Sequence, residues 1–109
     1  MEPDRLDAVF FALADGTRRT VVRRLLARDT VTATQLAGDL PITRQAVAKH
    51  LAALTDAGLV QRRREGRETR YELTPEPLDE AAKWLEAVGD EWDGRLDRLR
   101  RHVGAKQLE

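Results

Sequence analysis

At 109 residues the chain can bury one modest core, and the absence of cysteine excludes a disulfide framework, a thiolate metal site and a thiol redox switch. No apolar run nears the roughly 20 residues that cross a bilayer, and the opening Met1-Glu2-Pro3-Asp4 lacks a basic, signal-like start. On those grounds a soluble, cytoplasmic protein with no membrane partner is expected, and its nineteen basic and nineteen acidic side chains cancel to a net charge of zero.

In chain order, Leu6, Val9, Phe10 and Leu13 recur at helical spacing and predict a first helix over 4–14. Asp15 is a good N-cap for a second over 16–27, whose buried stripe is read as Val21, Val22, Leu25 and Leu26. A loop over 29–31 leads to Thr32-Ala33-Thr34-Gln35, whose spacing is that of a capping box opening a third helix. Leu40-Pro41-Ile42 breaks that helix, Thr43 caps a fourth over 44–57, and Gly58 takes the C′ position that stops it. A strand over 59–63, a turn over 64–68 and a strand over 69–73 form a hairpin. Thr74 and Pro75 then open a last helix over 76–102. Its apolar positions, Leu78, Ala81, Leu85, Val88, Trp92, Leu96, Leu99 and Val103, alternate by three and four, although Gly89 and Gly94 interrupt it.

The result is a mainly α chain with a small β-hairpin, ordered α-α-α-α-β-β-α. That is a winged helix-turn-helix within one domain over 1–109, with the helix-turn-helix at 32–57 and the wing at 59–73. The order of elements points to reading double-stranded DNA.

Charge follows the same division. Residues 1–39 carry six basic and six acidic side chains, residues 40–70 seven and three, and residues 71–109 six and ten. A net +4 thus falls on residues 40–70, which hold the fourth helix and most of the hairpin, and −4 on the tail. A molecule polarised in this way presents a basic face to phosphate without being basic as a whole.

In the fourth helix, Leu51 and Leu54 fall within about 40° of Val47 on the helical wheel, and these three form the core-facing stripe. Thr43, Arg44, Gln45 and Lys49 then occupy the open side toward the N-terminal half, the part of a recognition helix that meets base edges. Arg44 suits guanine O6 and N7, Gln45 suits adenine N6 and N7, and Lys49 suits a phosphate. His50 sits on a flank, either as a phosphate or base contact or at the core edge. Thr32, Thr34 and Gln35 offer hydroxyl and N–H groups to a phosphate. In the hairpin, Val60, Tyr71 and Leu73 are read as facing the core. Arg62, Arg64, Arg67 and Arg70 point outward or lie at the tip, for phosphate or minor-groove contact or as a solvated edge.

The last helix carries more apolar surface than the small core beside it can cover. Either it folds over its own domain or the excess is buried between two copies, and a homodimer is expected. Its seam would be Leu85, Val88, Trp92, Leu96 and Leu99, joined by Val9 and Phe10 of the first helix, with 1–14 and 76–103 as the dimerisation helices. Two-fold symmetry then implies an operator that is an imperfect inverted repeat.

Ala12-Leu13-Ala14-Asp15-Gly16-Thr17-Arg18-Arg19 resembles the Leu-Ala-Asp-Pro-Thr-Arg-Arg opening of ArsR/SmtB-type winged-helix repressors, with Gly16 in place of the usual proline. The run from Arg44 to Leu54, with Ala57-Gly58-Leu59-Val60, resembles that family's recognition helix and its exit into the wing. Arg64-Glu65-Gly66-Arg67 with Tyr71-Glu72-Leu73 resembles its wing, and Trp84-Leu85 with the run from Trp92 to Leu99 is similar to the last helix of a cysteine-free branch. The resemblance implies a homodimeric repressor that leaves its operator when an effector binds. Where many metal-sensing members carry a cysteine motif, this chain reads Thr34-Gln35-Leu36-Ala37-Gly38-Asp39-Leu40, so DNA binding carries over and metal sensing does not. The implied effector is not a metal and its identity stays open, a small molecule being one candidate.

The alternative function is a winged-helix protein-interaction adaptor that turns the basic wing on an acidic partner. Catalysis is not expected, because no nucleophile–base pair, Gly-rich phosphate loop or metal cluster is present, and no cofactor is implied.

Overall fold

A computed structural model describes residues 3–108, with side chains from 5 to 104; the opening Met1-Glu2 lies outside them. The elements are α1 (Pro3–Leu13), α2 (Gly16–Leu26), β1 (Val31–Thr32), α3 (Ala33–Asp39), α4 (Arg44–Asp56), β2 (Val60–Glu65), β3 (Glu68–Leu73) and α5 (Pro75–Leu108). One core gathers Val9 and Ala12 of α1, Val21, Val22 and Leu25 of α2, and Val47, Leu51 and Leu54 of α4, with Leu36, Leu59 and Ala81 closing it.

Each helix end has a local chemical cause. The α1–α2 corner is held by Asp15, whose carboxylate accepts from the Arg18 backbone N–H at 3.0 Å. From the next turn, Arg18 Nε donates to the Ala12 carbonyl at 2.6 Å and Arg19 Nη1 to that of Leu13 at 2.7 Å. These guanidinium groups satisfy the orphan carbonyls that end α1, where a positive charge also suits the helix dipole. Thr32 and Gln35 form the expected reciprocal capping box on α3. The end of α4 is a Schellman motif, in which Leu59 N–H reaches the Leu54 carbonyl and Gly58 N–H that of Thr55, both at 3.0 Å. Gly58 supplies the positive φ of 79° that this exit requires.

Several sequence expectations change. The loop over 29–31 is part strand: β1 pairs antiparallel with β3, Val31 opposite Tyr71 and Thr32 opposite Arg70, giving a three-stranded sheet of order β1-β3-β2. The wing turn is shorter than 64–68. Strands β2 and β3 run to Glu65 and Glu68, leaving Gly66-Arg67 as a two-residue turn. Gly66 has φ of 59° and Arg67 does not share the positive sign, the pattern of a type II′ hairpin turn. Leu26 is 65 % exposed rather than buried. It lies about 140° around the helix from Val21, beyond the arc that meets the core.

The last helix also differs from the expected 76–102. It starts at Pro75, ends at Leu108, and passes Gly89 and Gly94 without a break. Each glycine costs only about 1 kcal/mol in a helix of this length. Its first turns pack on the body, with Pro77 buried beside Gly58 and Ala81 buried in the core. Phe10 meets Trp84 edge to face, and Arg5 approaches Glu80 at 4.0 Å. From Leu85 to Gly104 no side chain is buried, and the helix projects from the body. The radius of gyration is 19.6 Å, against roughly 13 Å for a compact chain of this size.

Candidate nucleic-acid interface

Helix α4 begins at Thr43, whose hydroxyl accepts from the Ala46 N–H at 3.1 Å. With Val47, Leu51 and Leu54 fully buried, the helix turns Arg44, Gln45, Ala48, Lys49 and Ala52 to solvent. The small alanines leave this exposed surface low, so a groove wall can approach the backbone while the longer side chains reach beyond it. His50 is half-buried on the flank, on the side of Asp15 rather than in the middle of the open face. The N–H of Arg18 holds the Asp15 carboxyl below its ordinary value near 3.8, and the nearby charges of Arg18 and His50 add to the effect.

The wing sorts its charges by face. Register places Arg62 opposite Tyr71 and Arg64 opposite Thr69, and strand alternation puts these four on the side of core-facing Val60. The other side carries Arg63, Glu65, Glu68, Arg70 and Glu72. There the acids are consumed: Arg63 pairs with Glu65 at 2.9 Å and Glu72 at 3.7 Å, and Arg70 with Glu68 at 2.6 Å and Glu65 at 3.9 Å. Among the described residues, no carboxylate lies within ion-pair distance of Arg44, Lys49, Arg62, Arg64 or Arg67.

Between wing and helices lies an open cleft of about 670 Å³, bordered by Thr34 and Gln35 of α3, Arg44 of α4, and Arg64, Arg67, Glu68 and Tyr71 of the hairpin. Thr32 also borders it, but its hydroxyl accepts from Gln35 N–H at 3.1 Å while Gln35 Oε1 accepts from Thr32 N–H at 2.9 Å. Around this cleft the structure thus brings together Thr32, Thr34, Gln35, Arg44, Arg64 and Arg67 of the residues singled out in the sequence, while Thr43, Gln45, Lys49, His50 and Arg62 do not border it. It sets Arg70 apart on the far face of the wing, bonded to the Thr30 hydroxyl at 2.7 Å. Thr69 and Tyr71 were missed as cleft residues, although strict alternation from Val60 across the hairpin register identifies them.

The residues expected at a dimer seam divide as well. Val9 is fully buried inside its own protomer and has no surface to offer. Phe10 is half-buried against Trp84, and Leu96 is half-buried. Leu85, Val88, Trp92 and Leu99 are all exposed along the projecting part of α5, as is Val103. Phe11, 77 % exposed beside Phe10, is an apolar surface that the sequence reading passed over.

These elements define a winged helix-turn-helix protein. The helix-turn-helix domain family matches residues 13–63. The HTH-type transcriptional regulator YuzN of Bacillus subtilis is 44 % identical over 87 residues, spanning 73 % of this chain and 95 % of that protein. An ArsR-like transcriptional regulator from Rhodococcus sp. RHA1 superimposes with a TM-score of 0.74 at 43 % identity, covering 90 % of this chain and 92 % of that one. A homodimeric winged helix-turn-helix DNA-binding domain from Mycobacterium bovis gives a TM-score of 0.65 at 27 % identity, over 81 % of each chain. The chain belongs to the ArsR family of winged helix-turn-helix, DNA-binding transcriptional regulators, and these relatives are regulators rather than enzymes.

Proposed function

We propose that the protein is a cytoplasmic homodimeric repressor that binds an imperfect inverted repeat in double-stranded DNA and is released by a small-molecule effector other than a metal ion. The observation that carries the DNA-contact reading is the sorting of charge on the wing. Glu65 and Glu72 lie on the face away from the cleft, and Glu68, which borders it, is held by Arg70 at 2.6 Å, while Arg64 and Arg67 border the cleft together with Arg44. Arg44, Arg64 and Arg67, without ion-pair partners among the described residues, border this one concave surface and attract phosphate, and each phosphate neutralised steepens the salt dependence of binding. Arg44 and Gln45 would read base edges, Lys49, Arg62, Arg64 and Arg67 the backbone, and Thr34 the phosphate beside α3.

Dimerisation is supported by the exposed stripe Leu85, Val88, Trp92 and Leu99 on a helix that projects beyond its own core, and by the homodimeric Mycobacterium bovis domain. A two-fold axis near α5 would set two copies of α4 about one DNA turn apart, roughly 34 Å. The proposal of a non-metal effector rests on the cysteine-free stretch from Thr34 to Leu40. A mobility shift against the DNA upstream of the protein's own gene, repeated over a salt series, tests the reading. Retardation that weakens steeply with salt supports it. Salt-insensitive or absent binding, with capture of acidic proteins instead, supports the adaptor alternative.

A further inference from the structure

We infer that Arg70 is a positioning residue: it braces the wing against the body of the protein through Thr30, and so sets where Arg64 and Arg67 meet DNA. The inference rests on the DNA-contact reading of the wing and assigns Arg70 a different part in it from the other arginines.

Strands β2 and β3 form a ribbon whose tip, Gly66-Arg67, lies beyond the edge strand β1. The last β1–β3 pair is Thr32 with Arg70, so the ribbon from Thr69 to the tip has no backbone support on its β1 side. A two-stranded ribbon without a third strand twists and bends easily. Arg70 is the residue at which that support ends, and its side chain reaches both ways. Its Nε donates to Thr30 Oγ1 at 2.7 Å, across 40 residues of chain, and its Nη1 donates to Glu68 Oε2 at 2.6 Å. Glu65, opposite Glu68 in the register, is 3.9 Å from the same guanidinium. Two carboxylates facing each other across a hairpin repel, and the Arg70 charge between them relieves that repulsion.

The planar guanidinium suits this task, since its donors point in fixed, different directions and can hold a hydroxyl and a carboxylate at once. Arg70 is also the most enclosed of the wing arginines that form ion pairs, its side chain 23 % exposed against 48 % for Arg63. The donors spent on Thr30 and Glu68 are not free for a phosphate. Arg64 instead donates Nε to the Gly66 carbonyl at 3.2 Å, within the turn itself, and borders the cleft. The position of Arg64 and Arg67 thus depends on the ribbon's angle, and that angle depends on the Arg70–Thr30 bond.

Affinity for a fluorescent random-sequence duplex, measured for Thr30→Val and Arg70→Gln in the native chain and in an Arg64→Gln/Arg67→Gln background, tests the inference. Thr30→Val keeps side-chain shape and all charges and removes only the acceptor. Losing one such bond should weaken binding by about three- to tenfold in the native background. Neither substitution should matter once Arg64 and Arg67 are gone. Native affinity of Thr30→Val, with Arg70→Gln weakened in both backgrounds, would make Arg70 a direct phosphate contact and overturn the inference. Equal losses in both backgrounds for both variants would reduce the brace to general stability and overturn it too. If Arg64→Gln/Arg67→Gln itself binds like the native chain, the DNA-contact reading of the wing fails, a result separate from either.

Discussion

Phe10 and Trp84 meet edge to face, ring centroids 5.6 Å apart and planes at 63°, and beyond this contact no described side chain of α5 is buried in its own protomer. An aromatic pair in this geometry contributes about 0.5–1.5 kcal/mol beyond the area it covers. The contact fixes the direction in which the remaining helix leaves the body. Twenty further residues, from Leu85 to Gly104, then carry an apolar stripe into solvent.

That stripe gives the first prediction. Trp92, 53 % exposed with the Arg95 guanidinium 5.9 Å from its ring centre, lies midway along the projecting helix. Trp92→Ala should weaken self-association by about 2–4 kcal/mol while leaving the thermal stability of the protomer nearly unchanged. Sedimentation over a dilution series reads this directly. A wild type that is monomeric at micromolar concentration would instead leave α5 as an extended helix without a partner copy.

The wing turn gives the second. Gly66 has φ of 59°, and a Cβ added there would meet nothing within 4 Å, so the cost of Gly66→Ala is confined to the backbone. It should lower stability by about 1 kcal/mol. Because the altered turn carries Arg67 and holds Arg64, DNA affinity should fall as well. Denaturant melts and binding isotherms on the same sample separate the two effects.

Asp15 gives the third, a pH dependence. The Arg18 N–H lowers its pKa below the ordinary 3.8, so its stabilising contribution is fully present above 3.8 and is lost as pH falls through the lower folded value. Asp15→Ala should therefore be less stable than the native chain at neutral pH, and the gap should close below pH 3.8. Melting temperatures of both proteins from neutral to strongly acidic pH check the sign.

The fourth concerns α4. Arg44→Ala or Gln45→Ala should each relax preference at one or two positions per half-site, a bidentate base contact being worth about 1–3 kcal/mol of discrimination. Lys49→Ala should instead weaken all sequences alike and reduce the salt slope by about one. Binding to a library of half-site variants separates the patterns.

What could be read from the sequence was what depends on neighbours along the chain. The stripe of Val47, Leu51 and Leu54, the capping box at Thr32 and Gln35, and the stop at Gly58 each follow from residues within one or two turns. Strand β1 was invisible because two residues carry no period, and its existence depends on Tyr71 and Arg70 lying alongside. Val9 was assigned to a dimer seam because periodicity shows which face of a helix is apolar, not whether that face meets its own core or another copy. The same limit hid the guanidinium caps of Arg18 and Arg19 on α1, which resembled any solvated basic face. Within the candidate site, the four wing arginines looked equivalent until hairpin register and the distant Thr30 hydroxyl separated Arg70 from the others.

The central claim is that the α4 face and the inner face of the wing read DNA. Its most direct test is the affinity of the Arg44→Ala/Gln45→Ala/Lys49→Ala variant for a fragment selected from genomic DNA by the native protein. These side chains are exposed and make no ion pair among the described residues, so the variant should fold and self-associate as the native chain does. Its affinity for the selected fragment should drop by at least a hundredfold, toward that for unrelated DNA, given about 1–3 kcal/mol per base contact. Unchanged affinity in a folded, self-associating variant would contradict the account.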